Sequence, residues 1–391
     1  MGRVDRTAAP GWIALLLATA AVGIANSVVF TLLSDLQDAY GFGTAGLGLI
    51  AGAGMGVGFI SQLLLAPLAD RGHSRRLLLA GLAAAIAGSL MFAASSTLIA
   101  LVIARAIVGL SNGLFLPAAR AIAASMSPDR VGERLGTLGG VELAGFVTGP
   151  IIGAVLVDPF GVRWPFLVCG MAALVALVML AGRPLPEPAR SSVRHRLSLD
   201  LLRLREMQIG VLLTMALFFP VGMYDAILDR YMTDRGASNV MIGIGFLMYG
   251  IPFALLATTG GRLADRHGAF RVSMISLVLV APITAVYGVL SAPLVITALF
   301  AVEGSVQALG VPATQAFVAQ SAPVGRSSAA QGLSGALNML GGTVSALAGP
   351  PIYSAWGAGA AFGTAAGLVA IAGCAATALR RTTAPLPATI V

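Results

Sequence analysis

The hydrophobic positions of this chain come in long unbroken stretches separated by short polar breaks. A helix that crosses a bilayer needs roughly 20 consecutive apolar residues. Twelve stretches approach or meet that length, at about 11–33, 44–66, 77–95, 97–119, 136–157, 164–182, 207–229, 239–259, 272–291, 293–318, 331–354 and 358–379. The pattern predicts an all-α membrane protein with twelve transmembrane helices. The longest polar connection, 183–206, is rich in Pro and Arg and falls at the midpoint. It reads as a linker, with a short amphipathic helix expected at 197–205.

The polar breaks carry a second pattern. "GRLADRHGAFR" (261–271) sets Arg262, Asp265, Arg266 and Arg271 between two stretches without charge. "APLADRGHSRR" (66–76) is nearly the same run, and Asp70 lies 195 residues before Asp265. "LPAARAIAASMSPDR" (116–130) aligns with "VPATQAFVAQSAPVGR" (311–326) at that offset, bringing Gly109 onto Gly304, Asn112 onto Gln307 and Pro117 onto Pro312. "TGP" at 148–150 has its echo in "AGP" at 348–350. Repeated matches at offsets of 195 to 200 indicate a duplicated unit. The expected architecture is two pseudo-symmetric six-helix bundles, 1–182 and 207–391, joined by 183–206. Parallel halves of this kind place a substrate site between them near the bilayer midplane.

Composition sharpens this. Only 10% of residues are charged, where a soluble domain carries about a quarter. The net charge of +8 would suit a nucleic-acid ligand, but its distribution explains it without one. All 24 basic residues are Arg. With an inside N-terminus, 19 fall in inner segments and only Arg163, Arg230 and Arg235 in outer loops, as the positive-inside rule requires. Both termini are therefore expected in the cytoplasm, in a plasma or inner membrane. Arg3 and Arg6 before an apolar run resemble a signal peptide, but eleven further spans favour a retained first helix. Cys169 and Cys374 both fall within spans and read as small apolar residues, not as a disulfide.

Charges inside spans are costly, at least ~2.5 kcal/mol near a helix centre, and mark function. Four stand out: Arg105, Glu142, Asp225 and Glu303. A carboxylate in such surroundings can be poised to take up and release a proton. Glu303 and Asp225 are the first candidates for a proton carrier, with Glu142 third. Arg105 can pair with any of the three. The structural alternatives are that Asp225 is a rim residue near Arg230 and that Glu142 only partners an Arg; Arg120 is expected solvated at the end of its helix. Asn26, Asn112 and Gln307 can hydrogen-bond a neutral substrate, and Phe30, Tyr224 and Phe300 can wall it, although aromatic linings more often serve plain helix packing. Gly136, Gly145, Gly149 and Gly153 recur on one face of the fifth span beside Pro150, which allows close approach and a kink.

These residues resemble the major facilitator superfamily. Gly261, Leu263, Ala264, Asp265, Arg266 and Gly268 match its loop signature closely, whereas the first copy has Ala66 for Gly and a reversed Gly72-His73. Arg105 to Gly109 is similar to its "R-x-x-x-G" run. The fifth-span glycines resemble the motif of the drug/proton antiporter branch, with Ala154 in place of its last Gly. The resemblance implies a proton-coupled exporter of small amphipathic or drug-like molecules. It implies a latch role for Asp70 and Arg71, and by repetition for Asp265 and Arg266, against which stands an ordinary solvated loop. It also implies that spans one, four, seven and ten line the cavity, while two, five, eight and eleven meet between halves. The first span carries Asn26 and no acid, which argues against a dedicated organic-cation carrier.

Other classes remain open. A translocator of a lipid or lipid-linked glycan, or a sugar or metabolite exporter, fits the same spans. An enzyme fits poorly: His73, His195 and His267 lie in inner segments without ligand spacing, and there is no phosphate-binding loop. No cofactor, metal or nucleic-acid partner is expected, and the chain is read as a monomer working on a small molecule and protons in the bilayer. The topology is directly testable. A cysteine placed in 183–206 is expected to react with a membrane-impermeant maleimide only from the cytoplasmic side; labelling in intact cells refutes the orientation.

Overall fold

The computed structural model describes residues 8–68, 72–126, 131–185, 199–323 and 326–381. Its helices are α1 (Ala8–Ser27), α2 (Leu33–Tyr40), α3 (Ala45–Leu68), α4 (Ser74–Ala94), α5 (Leu98–Met126), α6 (Val131–Phe160), α7 (Trp164–Ala181), α8 (Arg205–Thr233), α9 (Asn239–His267), α10 (Ala269–Tyr287), α11 (Pro293–Ser321) and α12 (Ser327–Arg381). Short 3-10 turns occupy Val28–Thr31 and Leu199–Arg203, and the described residues include no strand. In lipid every backbone polar group must be satisfied within the segment, so these apolar runs have no option but helix.

Eleven helices are long and apolar enough to cross a membrane. The last contains two spans. Gly357, at φ 79° and ψ −179°, breaks α12 into them, a conformation that glycine adopts without a Cβ clash. Twelve spans result, in two pseudo-symmetric six-helix bundles. The first span ends sooner than its apolar run. The helix gives way to the 3-10 turn, where the Thr31 hydroxyl donates to the Pro150 carbonyl of α6 at 2.9 Å, and α2 then sets off separately.

Repeat-related glycines explain how each half closes. A side chain at Gly109 of α5 would strike the backbone of Gly54 in α3. One at Gly304 of α11 would strike the backbone of Tyr249 in α9. Both pairs differ by the same 195-residue offset, so the two halves use one device. The fifth-span glycines act within their own half: Gly145 lies on the Ala20 backbone, Gly149 on Ile24 and Ser27, and Gly153 on Val28 and Thr31. Their nearest neighbours all lie in their own half, so they seat α6 on the first span. A methyl added at Gly136 would find open space.

The halves meet along two seams that differ. Between α3 and α12 the contact is continuous, from Gly48 on Ala346 and Pro350, through Gly52 on Leu347, to Gly58 on Met339. Between α6 and α9 it covers one end only. Gly243 packs on Pro150 and Ala154, and Gly250 on Val147. Toward the end that carries the linker the helices part, and an added methyl at Gly136, Gly140 or Gly261 would meet no atom within 4 Å. The linker itself docks by Leu201, buried among Met207, Val318, Ala330 and Leu333, and by Asp200 paired to Arg326.

Overfilling a tight backbone contact costs about 1–3 kcal/mol or more, whereas a substitution into open space stays within roughly 0.5 kcal/mol. Thermal unfolding in detergent should therefore show Gly109→Val and Gly304→Val clearly destabilised and Gly136→Val close to wild type.

Candidate functional site

The centre of the interface holds an ion pair between the halves. Arg105 projects from α5 across Gly54, whose lack of a side chain leaves room for it, since a Cβ there would lie 2.5 Å from Nε. Arg105 Nη2 meets Asp225 Oδ2 of α8 at 3.1 Å, with side chains 2% and 1% exposed. Nη1 donates to the Asn26 carbonyl, and the guanidinium lies 5.4 Å from the centre of the Phe30 ring. Arg105 Nε and Asp225 Oδ1 have no partner. The pair is thus tight but incompletely satisfied. A buried polar network left partly satisfied is less stabilising than a fully satisfied one.

The repeat relates this pair to an apolar counterpart. Arg105 corresponds to Phe300 and Asp225 to Phe30 at the 195-residue offset. Phe30 stacks 5.7 Å from Phe246, which lies 5.7 Å from Phe300. Phe146 abuts Phe30 edge-on at 5.2 Å. The central layer is therefore ionic on one side of the pseudo-symmetry axis and aromatic on the other.

Glu303 is in a different situation. It is fully buried inside the second half. Its Oε1 accepts from the Tyr224 hydroxyl at 2.9 Å and from Gln307 at 3.1 Å, while Oε2 makes no hydrogen bond. Tyr224 continues to Thr284 at 3.2 Å, and Tyr249 donates to Gln307 Oε1 at 3.2 Å. All these partners are neutral. Tyr287 and Phe300 pack around Tyr224 and close the pocket.

The six residues proposed to contact substrate do not form one cluster. Asn26 and Asn112 line a cavity of about 30 Å³ in the first half with Gly23, Glu142 and Phe146. Tyr224, Phe300 and Gln307 surround Glu303 in the second half, and Phe30 stands between the groups. Glu142 pairs with Arg120 at 2.9 Å near the linker end, where Arg120 is half exposed. Arg120, expected to be merely solvated, thus has a carboxylate partner. Asp265 and Arg266 are exposed at the end of α9. Asp70 and Arg71 lie outside the described residues.

At the end opposite the linker the halves are joined by polar contacts. Asp229 Oδ2 accepts from the Ser34 N–H at 2.6 Å and from its hydroxyl at 2.8 Å. Arg230 meets Asp38 at 2.5 Å, and Asn239 meets Asp158 at 2.9 Å. Burial raises the Asp35 carboxyl above its ordinary range; Asp158 and Asp38 push the same way, and the Asn239 amide opposes them. Sequence reasoning missed Asp229, because the seventh span was ended there. The available signal was its place one turn after Asp225, on the same face of α8.

The Major Facilitator Superfamily model matches residues 15–229 and 210–390, so the chain belongs to that family. It is 27% identical over 269 residues to the multi-drug resistance efflux pump PmrA of Streptococcus pneumoniae, covering 65% of this chain and 67% of that one. It is 28% identical over 364 residues to the uncharacterized MFS-type transporter YwfA of Bacillus subtilis, covering 88% and 86%. Among solved structures, a mutant of the nucleoside transporter NupG aligns with a TM-score of 0.79 at 15% identity over 94% of this chain and 99% of that one. A bacterial homolog of the human lysosomal transporter Spinster, inward-facing and unoccupied, gives 0.74 at 14% over 98% and 100%. At these identities the structural likeness speaks for the fold.

Removing one partner of a buried ion pair typically costs 3–5 kcal/mol, because the other charge is left stranded. Arg105→Ala and Asp225→Ala should each destabilise on that scale, and the double variant by much less than their sum. Unfolding of the four proteins of this cycle measures it; additive losses refute the pairing.

Proposed function

We propose that this transporter exports small amphipathic molecules in exchange for protons, by alternating access between the halves 1–182 and 207–391. Both termini lie in the cytoplasm in this reading, so the linker end is the inner end and the polar contacts at the opposite end form the outer gate. The seam between α6 and α9, parted toward the linker, then belongs to an inward-open conformation.

The observation that carries the proton assignment is the setting of Glu303. Its pocket offers neutral donors only and is sealed by aromatic rings, so a proton relayed through hydroxyls can reach it while a substrate cannot. A structural carboxylate needs one protonation state; a carrier needs surroundings that tolerate two, and neutral hydrogen-bonding groups suit both. Arg105–Asp225 has another part. It is a buried ion pair that joins the halves, so breaking it accompanies their movement. Glu142 and Arg120, solvated at the inner end, are placed to meet substrate on entry. Asp70, Arg71, Asp265 and Arg266 are assigned to latching the inner end when it closes. The pump names of several relatives support a drug-like substrate.

A second reading takes its support from the seam geometry. With α3 and α12 in contact along their length and α6 and α9 parted, the opening faces sideways as well as inward, which suits a lipid or lipid-linked glycan.

Proteoliposomes with an imposed proton gradient separate these possibilities. Glu303→Gln keeps the shape and the protonated charge state. It is expected to retain substrate binding and exchange while losing accumulation against a gradient. Full uphill transport by this variant refutes Glu303 as the carrier. Movement of a fluorescent lipid but of no soluble dye selects the second reading.

A further inference from the structure

We infer that Asp229 is the lock of the outer gate, holding the halves together by capping the N-terminus of α2 across the interface. The inference rests on the reading that the halves rock, and is independent of which residue carries the proton.

The helix α2 begins at Leu33 immediately after the 3-10 turn, with Leu32 before it. Neither the Leu32 nor the Leu33 side chain can accept a hydrogen bond from the free N–H groups of the first turn, and no side chain of the helix's own segment caps them. The first N–H groups of a helix need an acceptor and carry partial positive charge. That acceptor comes from the other half of the molecule. Asp229 of α8 takes both the N–H and the hydroxyl of Ser34 on one oxygen, and its residue is 1% exposed. The Ser34 hydroxyl also reaches Thr233, one turn further along α8, at 3.1 Å.

The position of this contact is informative. Ser34 and Asp229 are separated by 195 residues, the offset of the repeat. They are the same position in the two halves, so they meet on the pseudo-twofold axis. Identical residues there would face themselves: two aspartates would repel, and two serines would give a weak contact. Divergence of the halves has made the position complementary, a donor in the first and an acceptor in the second. A contact on the axis joins equivalent points of the two bundles, where it holds them shut without favouring one seam.

The energetics suit a lock that must open. A carboxylate sealed near the membrane is costly, and the cap offsets that cost only while the halves are closed. When they part, Asp229 regains water and α2 loses its cap. The two states thus differ by a small balance of opposed contributions. Arg230–Asp38 and Asn239–Asp158 lie at the exposed rim, where such pairs contribute little.

Spin labels at Ser96→Cys and Ser291→Cys, in a background with Cys169 and Cys374 replaced, report the width of the outer end. Both sites are exposed in loops at that end, one on each half. Asp229→Ala is expected to raise the ratio of outer-open to outer-closed molecules roughly fivefold, the size of a lost helix cap. Ser34→Ala, which keeps the backbone N–H, should raise it less. The double variant should exceed Asp229→Ala only by the small contribution of the Ser34–Thr233 contact, since the hydroxyl has then lost its carboxylate partner. Arg230→Gln, at the rim, should move it little. The inference is overturned if folded, monodisperse Asp229→Ala keeps the wild-type distance distribution, or if the two single effects add. Should Asp229→Ala not fold, an unchanged distribution in Ser34→Ala together with a large shift in Arg230→Gln overturns it equally. Wild-type uphill accumulation by any of these variants leaves Glu303 as the carrier untouched, so the lock and the proton assignment fail separately.

Discussion

The low dielectric between the two bundles constrains everything else in this molecule. A charge placed there must be paired, neutralised or solvated, and each buried ionisable group takes one of these courses. Arg105 and Asp225 neutralise one another across the interface. Glu303 is surrounded by neutral hydroxyl and amide donors within one half. Asp229 is held by the end of a helix. Glu142 and Arg120 pair where the seam is open to solvent. These four settings differ in what happens when the halves move. In the proposed alternating access a cross-interface pair breaks, a capped carboxylate is released, and a group enclosed in one half keeps its hydrogen-bond partners within that half.

The duplicated architecture places these groups in a comparable frame. The close approach of Gly109 to Gly54 and of Gly304 to Tyr249 repeats at the same offset, so both halves share one packing solution. The chemistry does not repeat. Arg105 and Asp225 face phenylalanines in the corresponding positions, and Ser34 faces Asp229. In the proposed rocking motion a symmetric scaffold turns about a common axis while the ion pair of the central layer stands on one side of it. The same asymmetry shows in the two seams. Small residues pack the whole length of α3 against α12, whereas α6 and α9 meet only beyond Val147.

Much of the fold was legible in the sequence because its determinants are local. An apolar run of bilayer length has to be helical, and the repeated "LAD" runs, with the echoes of Gly109-Gly304 and Pro117-Pro312, disclosed the two bundles. The identity of the buried charges was equally plain, since Arg105, Glu142, Asp225 and Glu303 interrupt apolar stretches. The packing partner of the fifth-span motif was not legible. The fifth-span glycines look suited to an interface between halves, yet they seat α6 on the first span. Periodicity reports which residues share a face and not which neighbour that face meets.

Partnership was decided only in three dimensions. Arg105 had three carboxylates within its reach on paper, and Asp225 is chosen because α3 packs against both α5 and α8 and its Gly54 lets Arg105 reach across. The six polar and aromatic residues that seemed to frame one substrate site fall into two groups, since helices of different halves separate them. Asp229 was hidden for a related reason. At the end of an apolar run it looks like a rim residue, and its role depends on α2, a short helix whose start is set by the turn at Val28–Thr31. Sequence determines what must be buried and what form the backbone takes, because these follow from neighbours along the chain. Which charge answers which depends on contacts between residues 120 and 195 positions apart, and only the packed halves bring those together.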